Sequence, residues 1–122
     1  MPMTQVLLFA DGHGASPFLE WMDSLPVDAQ HKCIIRVEQL EEFGLAVAAP
    51  ESKSLTDGIC QLRFVAGGTE YAILCFFYDQ SAVVVHACST RLGVAPEDVA
   101  IAVERKERFC ERPERHTYSE EE

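Results

Sequence analysis

Gly67-Gly68, set between two alternating apolar runs, restricts the fold of this 122-residue chain more than any other feature. Both central positions of a tight hairpin turn need positive φ, which glycine adopts without strain. From Ile59 to Val65, Cys60, Leu62 and Phe64 fall on one face and Ile59, Gln61, Arg63 and Val65 on the other, the period of a strand with one buried face. With Ala66 and Thr69 flanking the turn, Arg63 lies opposite Ala72. Tyr71, Ile73, Cys75 and Phe77 then join Cys60, Leu62 and Phe64 in the core, while Gln61, Arg63, Glu70, Ala72 and Leu74 share the second face. A third strand, 82–88, follows the turn signal Asp79-Gln80-Ser81. A register slip of one residue would flip every side chain on it, so the pattern leaves open which face carries His86.

The front of the chain supplies helices. A short apolar run, 5–9, reads as a first strand, ended by the turn cluster Asp11-Gly12-His13-Gly14. Ser16-Pro17 is a helix start, serine as N-cap and proline at the first helical position, with Phe18, Met22 and Leu25 at helical spacing after it. A second helix is expected over 27–43, with Cys33, Ile34, Val37 and Leu40 as its apolar stripe, Glu38, Glu41 and Glu42 on its wet side, and Gly44 as its stop. Two helices in a hairpin must bury their stripes, and the core face of the meander is the surface available. Residues 45–54 form a loop that returns the chain to the sheet. Pro96 opens a last helix, which Ala95 cannot cap, at a cost of about 1 kcal/mol, partly recovered through the helix dipole by Glu97 and Asp98.

Length allows one domain, burying somewhat under about 70% of the unfolded surface. Ten Lys and Arg stand against twenty Asp and Glu, a net charge of −10; residues 110–122 hold two arginines and five glutamates, so the body still carries −7. The expected organisation is a single domain over 1–109 and a charged, disordered tail over 110–122. The five cysteines, at 33, 60, 75, 88 and 110, have no paired metal-ligand spacing, and the first four sit among apolar residues. They read as reduced core thiols with no metal, which fits a cytoplasmic protein. No long apolar run or cleavable leader is present, so neither a membrane span nor secretion is expected.

The string Lys53-x-Leu55-x-Asp57-Gly58-Ile59-x-x-Leu62-Arg63, then Gly68, Tyr71-x-Ile73-Leu74, His86 and Pro96, resembles the phage-derived branch of the HigB/RelE toxin family. Upstream, Phe18-Leu19, Leu25-Pro26 and Leu40-x-x-x-Gly44 extend the resemblance, which covers roughly residues 15–108 through the order and spacing of many short pieces. It implies an α+β, RelE-like fold: an N-terminal helical hairpin packed on a small antiparallel sheet, with a C-terminal helix. It also implies a toxin that enters the ribosomal A site and cleaves mRNA through the ribose 2′-hydroxyl, without metal or other cofactor, restrained by a cognate antitoxin. Such chemistry needs cations near the phosphate, an acceptor for the 2′-hydroxyl proton and a donor for the leaving oxygen. Position by position, the resemblance gives Arg63, His86 and Arg91 as catalytic residues and Lys53 and Gln61 as substrate-binding ones.

Four positions depart from the family, one of them Ala95, which stands where the family has a threonine before Pro96. Ala72, Thr90 and Val94 stand where cations are common, and each lost phosphate contact removes about one unit of salt-dependent slope in RNA affinity. The acidic balance removes long-range steering toward a polyanion and favours a protein partner over ribosome and mRNA. Hence there are two expectations: an mRNA endonuclease, or a catalytically silent member of the fold acting as an interaction module. Single residues leave alternatives open too. Arg63 either binds phosphate or pairs with Glu70 or Glu97. His86 either moves protons or is a packed, hydrogen-bonded side chain. Asp11 and His13 form a turn or a ligand pair, Lys53 is solvated or functional, and Trp21 is core or a stacking platform.

Overall fold

Gly67 and Gly68, at φ 58° and 80°, close the hairpin at the register their spacing dictates: Ala66 faces Thr69 and Arg63 faces Ala72. The structure is a computed structural model that describes residues 4–44, 56–90 and 93–119. Its elements are β1 (Gln5–Leu8), α1 (Pro17–Asp23), α2 (Val27–Phe43), a 3-10 turn (Thr56–Gly58), β2 (Cys60–Ala66), β3 (Thr69–Tyr78), β4 (Ser81–Thr90) and α3 (Pro96–Glu111). The strands form one sheet in the order β1-β4-β3-β2, with β1 parallel to β4 and the meander antiparallel, an α+β architecture compatible with a RelE-like fold. The parallel strand β1 makes the sheet mixed rather than wholly antiparallel.

Helices cover the sheet on both sides. On one face Phe18, Cys33 and Leu40 of the helical hairpin pack on Leu62, Phe64, Ile73, Cys75 and Val84. On the other, Ala102 and Phe109 of α3 pack on Ala72, Leu74, Phe76, Val83 and Val85. The second face, which the alternation of β2 marks as polar, is therefore largely a second core. Ala72 and Leu74 are fully buried there, while Arg63 projects at the uncovered margin.

Local chemistry sets the helix ends. Ser16 Oγ accepts the Leu19 N–H at 3.2 Å, and Pro17 follows at the first helical position. In α2 the buried positions are Ala29, Cys33, Arg36 and Leu40. Ile34, expected in that stripe, is 43% exposed, because one residue along a helix turns the side chain by about 100°. Gly44 ends α2 at φ 57° and donates its N–H to Leu40 O at 2.8 Å. A Cβ at this position would collide with Thr4 Oγ1. Gly44→Ala is accordingly expected to lower stability by about 1–2 kcal/mol, read as a shift of the urea midpoint at constant slope. No described helix is long and apolar enough to cross a membrane.

The chain does not dissolve into a tail at 110. That position lies inside α3, and the segment beyond it folds back: His116 is buried, its Nδ1 bonds Ala10 O at 2.7 Å, and its ring stacks on Phe9 at 5.2 Å. Ala10 N–H donates to His116 O and Tyr118 N–H to Leu8 O, both at 2.8 Å. Unpaired backbone groups at the end of β1 supply a reason for this return that charge content hides. Glu120, Glu121 and Glu122 lie outside the described residues, as does the expected loop over 45–54.

All five cysteines are free, with Cys33, Cys75 and Cys88 buried and Cys110 exposed. Burial pushes the thiols of Cys33 and Cys75 up to about 12 and that of Cys88 up to about 11, against an ordinary 9.0. A raised folded-state pKa gives stability that is present below the unfolded value and lost as pH rises. Above about pH 9 the unfolded chain releases these protons while the folded chain keeps them, so the urea midpoint is expected to fall from there toward pH 11. The decline should be shallower in Cys75→Ala; an unchanged slope would show that this thiol is not what titrates.

Candidate functional site

β4 is longer than the strand beside it. β1 pairs with it only from Ser81 to Val84, and Phe9 N–H reaches Val84 O at 2.9 Å. Past that point the outer edge of β4 looks onto a recess of about 220 Å³, lined by Pro17, Phe18 and Trp21 of α1, His86 and Ala87 of β4, and Arg105 of α3. Arg105 Nη1 donates to Val85 O at 2.8 Å, satisfying a backbone carbonyl that has no strand partner.

A β-bulge decides which way His86 points. His86 pairs with Leu74, whereas the next pair along is Val84 with Cys75, so Val85 is the extra residue. In a bulge two successive residues can share a side. Val85 lies in the core under α3, and His86 faces the same helix. The alternation is thereby broken, which is why simple period-two reading could not choose the face.

On that side His86 is held at both nitrogens. Its Nε2 is 2.7 Å from Asp98 Oδ1 and its Nδ1 is 3.3 Å from Arg105 Nη1. A carboxylate only accepts and a guanidinium only donates, so the neighbours select a neutral imidazole protonated on Nε2. Asp98 also receives the Cys88 thiol, and that charge adds to burial in raising the Cys88 pKa. Burial pushes the Arg105 guanidinium below its ordinary value, yet it remains a cation, and it lies 5.7 Å above the Phe9 ring. The side chains of His86 and Asp98 are 16% and 27% exposed, so the pair is sheltered without being sealed.

The other expected site residues lie elsewhere. Arg63 pairs through Nε with Glu70 Oε2 at 3.1 Å, one of the two partners its position suggested, and Thr90 Oγ1 donates to Glu70 Oε1 at 3.3 Å. Its strand is two spacings from β4, about 10 Å, with Ala72 and Leu74 between, so the structure does not bring Arg63 and His86 together. Arg63 instead borders a groove of about 270 Å³ at the outer edge of β2, beside Lys32, Arg36 and Gln39. Gln61 is buried, which takes it out of reach of a substrate in this conformation. Lys53 and Arg91 lie outside the described residues. Asp11 makes a turn, its Oδ1 accepting from His13 and Ala15 N–H at 2.8 and 3.1 Å. Trp21 packs edge-on to Tyr71 at 5.9 Å and shows its remaining surface to the recess.

Two members of the His86 cluster escape a motif-based reading, Asp98 and Arg105. Their signal is their spacing. Asp98, Ala102, Arg105 and Phe109 recur at intervals of four, three and four along α3, the same stripe that buries Ala102 and Phe109. A polar residue placed on a helix's buried stripe needs a partner, and here both meet His86.

Residues 20–107 match the model of the family described as Phage derived protein Gp49-like. Comparison with curated proteins finds no match.

Proposed function

The chain belongs to the phage-derived Gp49-like family, a RelE/HigB-like toxin family, and from that premise we propose that it is the toxin half of a toxin-antitoxin pair that cleaves mRNA on the ribosome. The observation that carries this reading is the Asp98–His86–Arg105 relay opening on the recess beside β4. A scissile phosphate entering there draws Arg105 off Nδ1 and onto its own oxygens, since a doubly charged guanidinium–phosphate contact is stronger than one to a neutral ring. The lone pair on Nδ1 is then free to take the 2′-hydroxyl proton. The 2′ oxygen attacks phosphorus, the bond to the 5′ oxygen breaks, and that oxygen takes a proton from solvent, leaving a cyclic phosphate and a 5′-hydroxyl. Asp98 stabilises the imidazolium that forms.

Inducing the chain without a partner is expected to arrest growth and to leave cuts at A-site codons, mapped by primer extension, with co-expressed antitoxin relieving both. Soluble protein that causes neither arrest nor cleavage overturns the reading.

One observation favours a second reading, a catalytically silent interaction module. The three positions where the family commonly carries cations are used for packing: Ala72 is fully buried, Thr90 is bonded to Glu70, and Val94 packs against the core under α3. Glu70 also neutralises Arg63. Ribosome co-sedimentation that weakens on Arg63→Ala would contradict this second reading.

A further inference from the structure

Beside the proton relay, one side of His86 belongs to a second arrangement. His86 and Cys88 are two residues apart on β4 and face α3 together, where Asp98, in the first turn of that helix, stands over both. The imidazole nitrogen, the Cys88 sulfur and an Asp98 carboxylate oxygen all lie within 4.8 Å of one another. We propose that His86, Cys88 and Asp98 bind a zinc-class divalent ion. This does not depend on the nuclease reading, because it concerns binding by the isolated chain.

The donor set argues for the kind of ion. Nitrogen, thiolate sulfur and carboxylate oxygen together suit a borderline metal such as Zn²⁺, whereas Mg²⁺ and Ca²⁺ take oxygen ligands. Three protein ligands leave a fourth tetrahedral position for water or an outside group. Binding displaces the Cys88 thiol proton to solvent, after which thiolate and carboxylate balance two positive charges, and the chain around them carries a net −10. Metal–ligand bonds of roughly 2.0–2.3 Å place tetrahedral donors about 3.3–3.8 Å apart. The His86–Asp98 separation of 2.7 Å must therefore widen and the longest separation, at most 4.8 Å, must close, each by about 1 Å or less.

Arg105 opposes the ion. A metal on Nε2 moves the ring proton to Nδ1, which then points at a guanidinium that can only donate. Arg105 must give up that 3.3 Å contact and keep only its 2.8 Å bond to Val85 O. Metal and relay are thus mutually exclusive uses of one histidine.

The test uses the reduced full-length chain titrated with Co²⁺ alone and then with Zn²⁺. The expected result is one ion per chain, with thiolate-to-cobalt absorption in the near ultraviolet and tetrahedral bands in the visible, both abolished by Zn²⁺. Loss of an outer partner of a metal ligand already costs roughly 10- to 100-fold in affinity. Cys88→Ser and Asp98→Asn should weaken Zn²⁺ at least that much, and Cys88→Ser should remove the near-ultraviolet band. Arg105→Met should tighten binding, and Cys110→Ser, on the exposed side of α3, should change nothing. Absence of saturable binding overturns the proposal. So does a thiolate band that survives Cys88→Ser, or an affinity that Asp98→Asn leaves intact in a chain whose circular dichroism is native.

Discussion

Phe109→Ala is expected to lower the free energy of unfolding by about 3–5 kcal/mol, a large part of the roughly 5–15 kcal/mol that holds a domain of this size folded. Phe109 is 1% exposed and is the largest side chain that α3 contributes to the second core. It meets Phe76 and Tyr78 edge-on at 5.7 and 5.3 Å, so truncation removes two favourable ring contacts as well as apolar area. It shares its core cluster with Phe9, which His116 covers from the far side, so collapse into the vacated space would disturb the C-terminal return. Ile101→Ala, on the same helix but 37% exposed, is the control, and should cost under about 1 kcal/mol. Urea unfolding followed by far-ultraviolet circular dichroism measures both. Equal losses for the two variants would mean that α3 does not close the second face of the sheet.

That helix also shows where reading the residues stops short. Contacts governed by neighbouring residues were legible: the Gly67-Gly68 turn with its register, the Ser16 cap, and the stop at Gly44 each follow from a dihedral or a nearby hydrogen bond. The covering of the second face of the sheet by α3, over β3 and β4, was not, because Asp98 and Arg105 interrupt the apolar stripe and make the helix read as charged. The direction of His86 depended on one extra residue, Val85, whose placement is set by pairing across the sheet. His116 is held by Phe9 and Ala10, more than a hundred residues away in sequence, and no local pattern announces such a contact. For the site, His86 was visible through family spacing, but its partners were visible only once β4 and α3 lay side by side. Arg63 was legible as to its register opposite Ala72, but the sequence leaves its partner open between phosphate, Glu70 and Glu97; the ion pair with Glu70 separates it from the chemistry proposed here.

His86→Ala is expected to reduce mRNA cleavage by about 10²–10⁴-fold, the usual contribution of a positioned acid–base group. The side chain is only 16% exposed and holds both Asp98 and Arg105, so its removal also costs stability, and cleavage must be compared at a temperature where both proteins are folded. Arg105→Ala should also abolish most activity by removing the cation that lines the recess among the described residues, and it leaves Val85 O without its donor, so stability must be measured alongside. Asp98→Ala is expected to act through the histidine: without the carboxylate at 2.7 Å the imidazolium formed during reaction loses its counter-charge, and the rate should fall. Arg63→Ala is the deciding comparison. Arg63 already faces Glu70 and stands about 10 Å from β4, so its loss should reduce cleavage far less than that of His86. If Arg63→Ala abolishes ribosomal mRNA cleavage while His86→Ala retains near-parental cleavage, the reactive centre lies at the β2 edge beside Lys32 and Arg36, and the histidine of β4 serves only to join strand to helix.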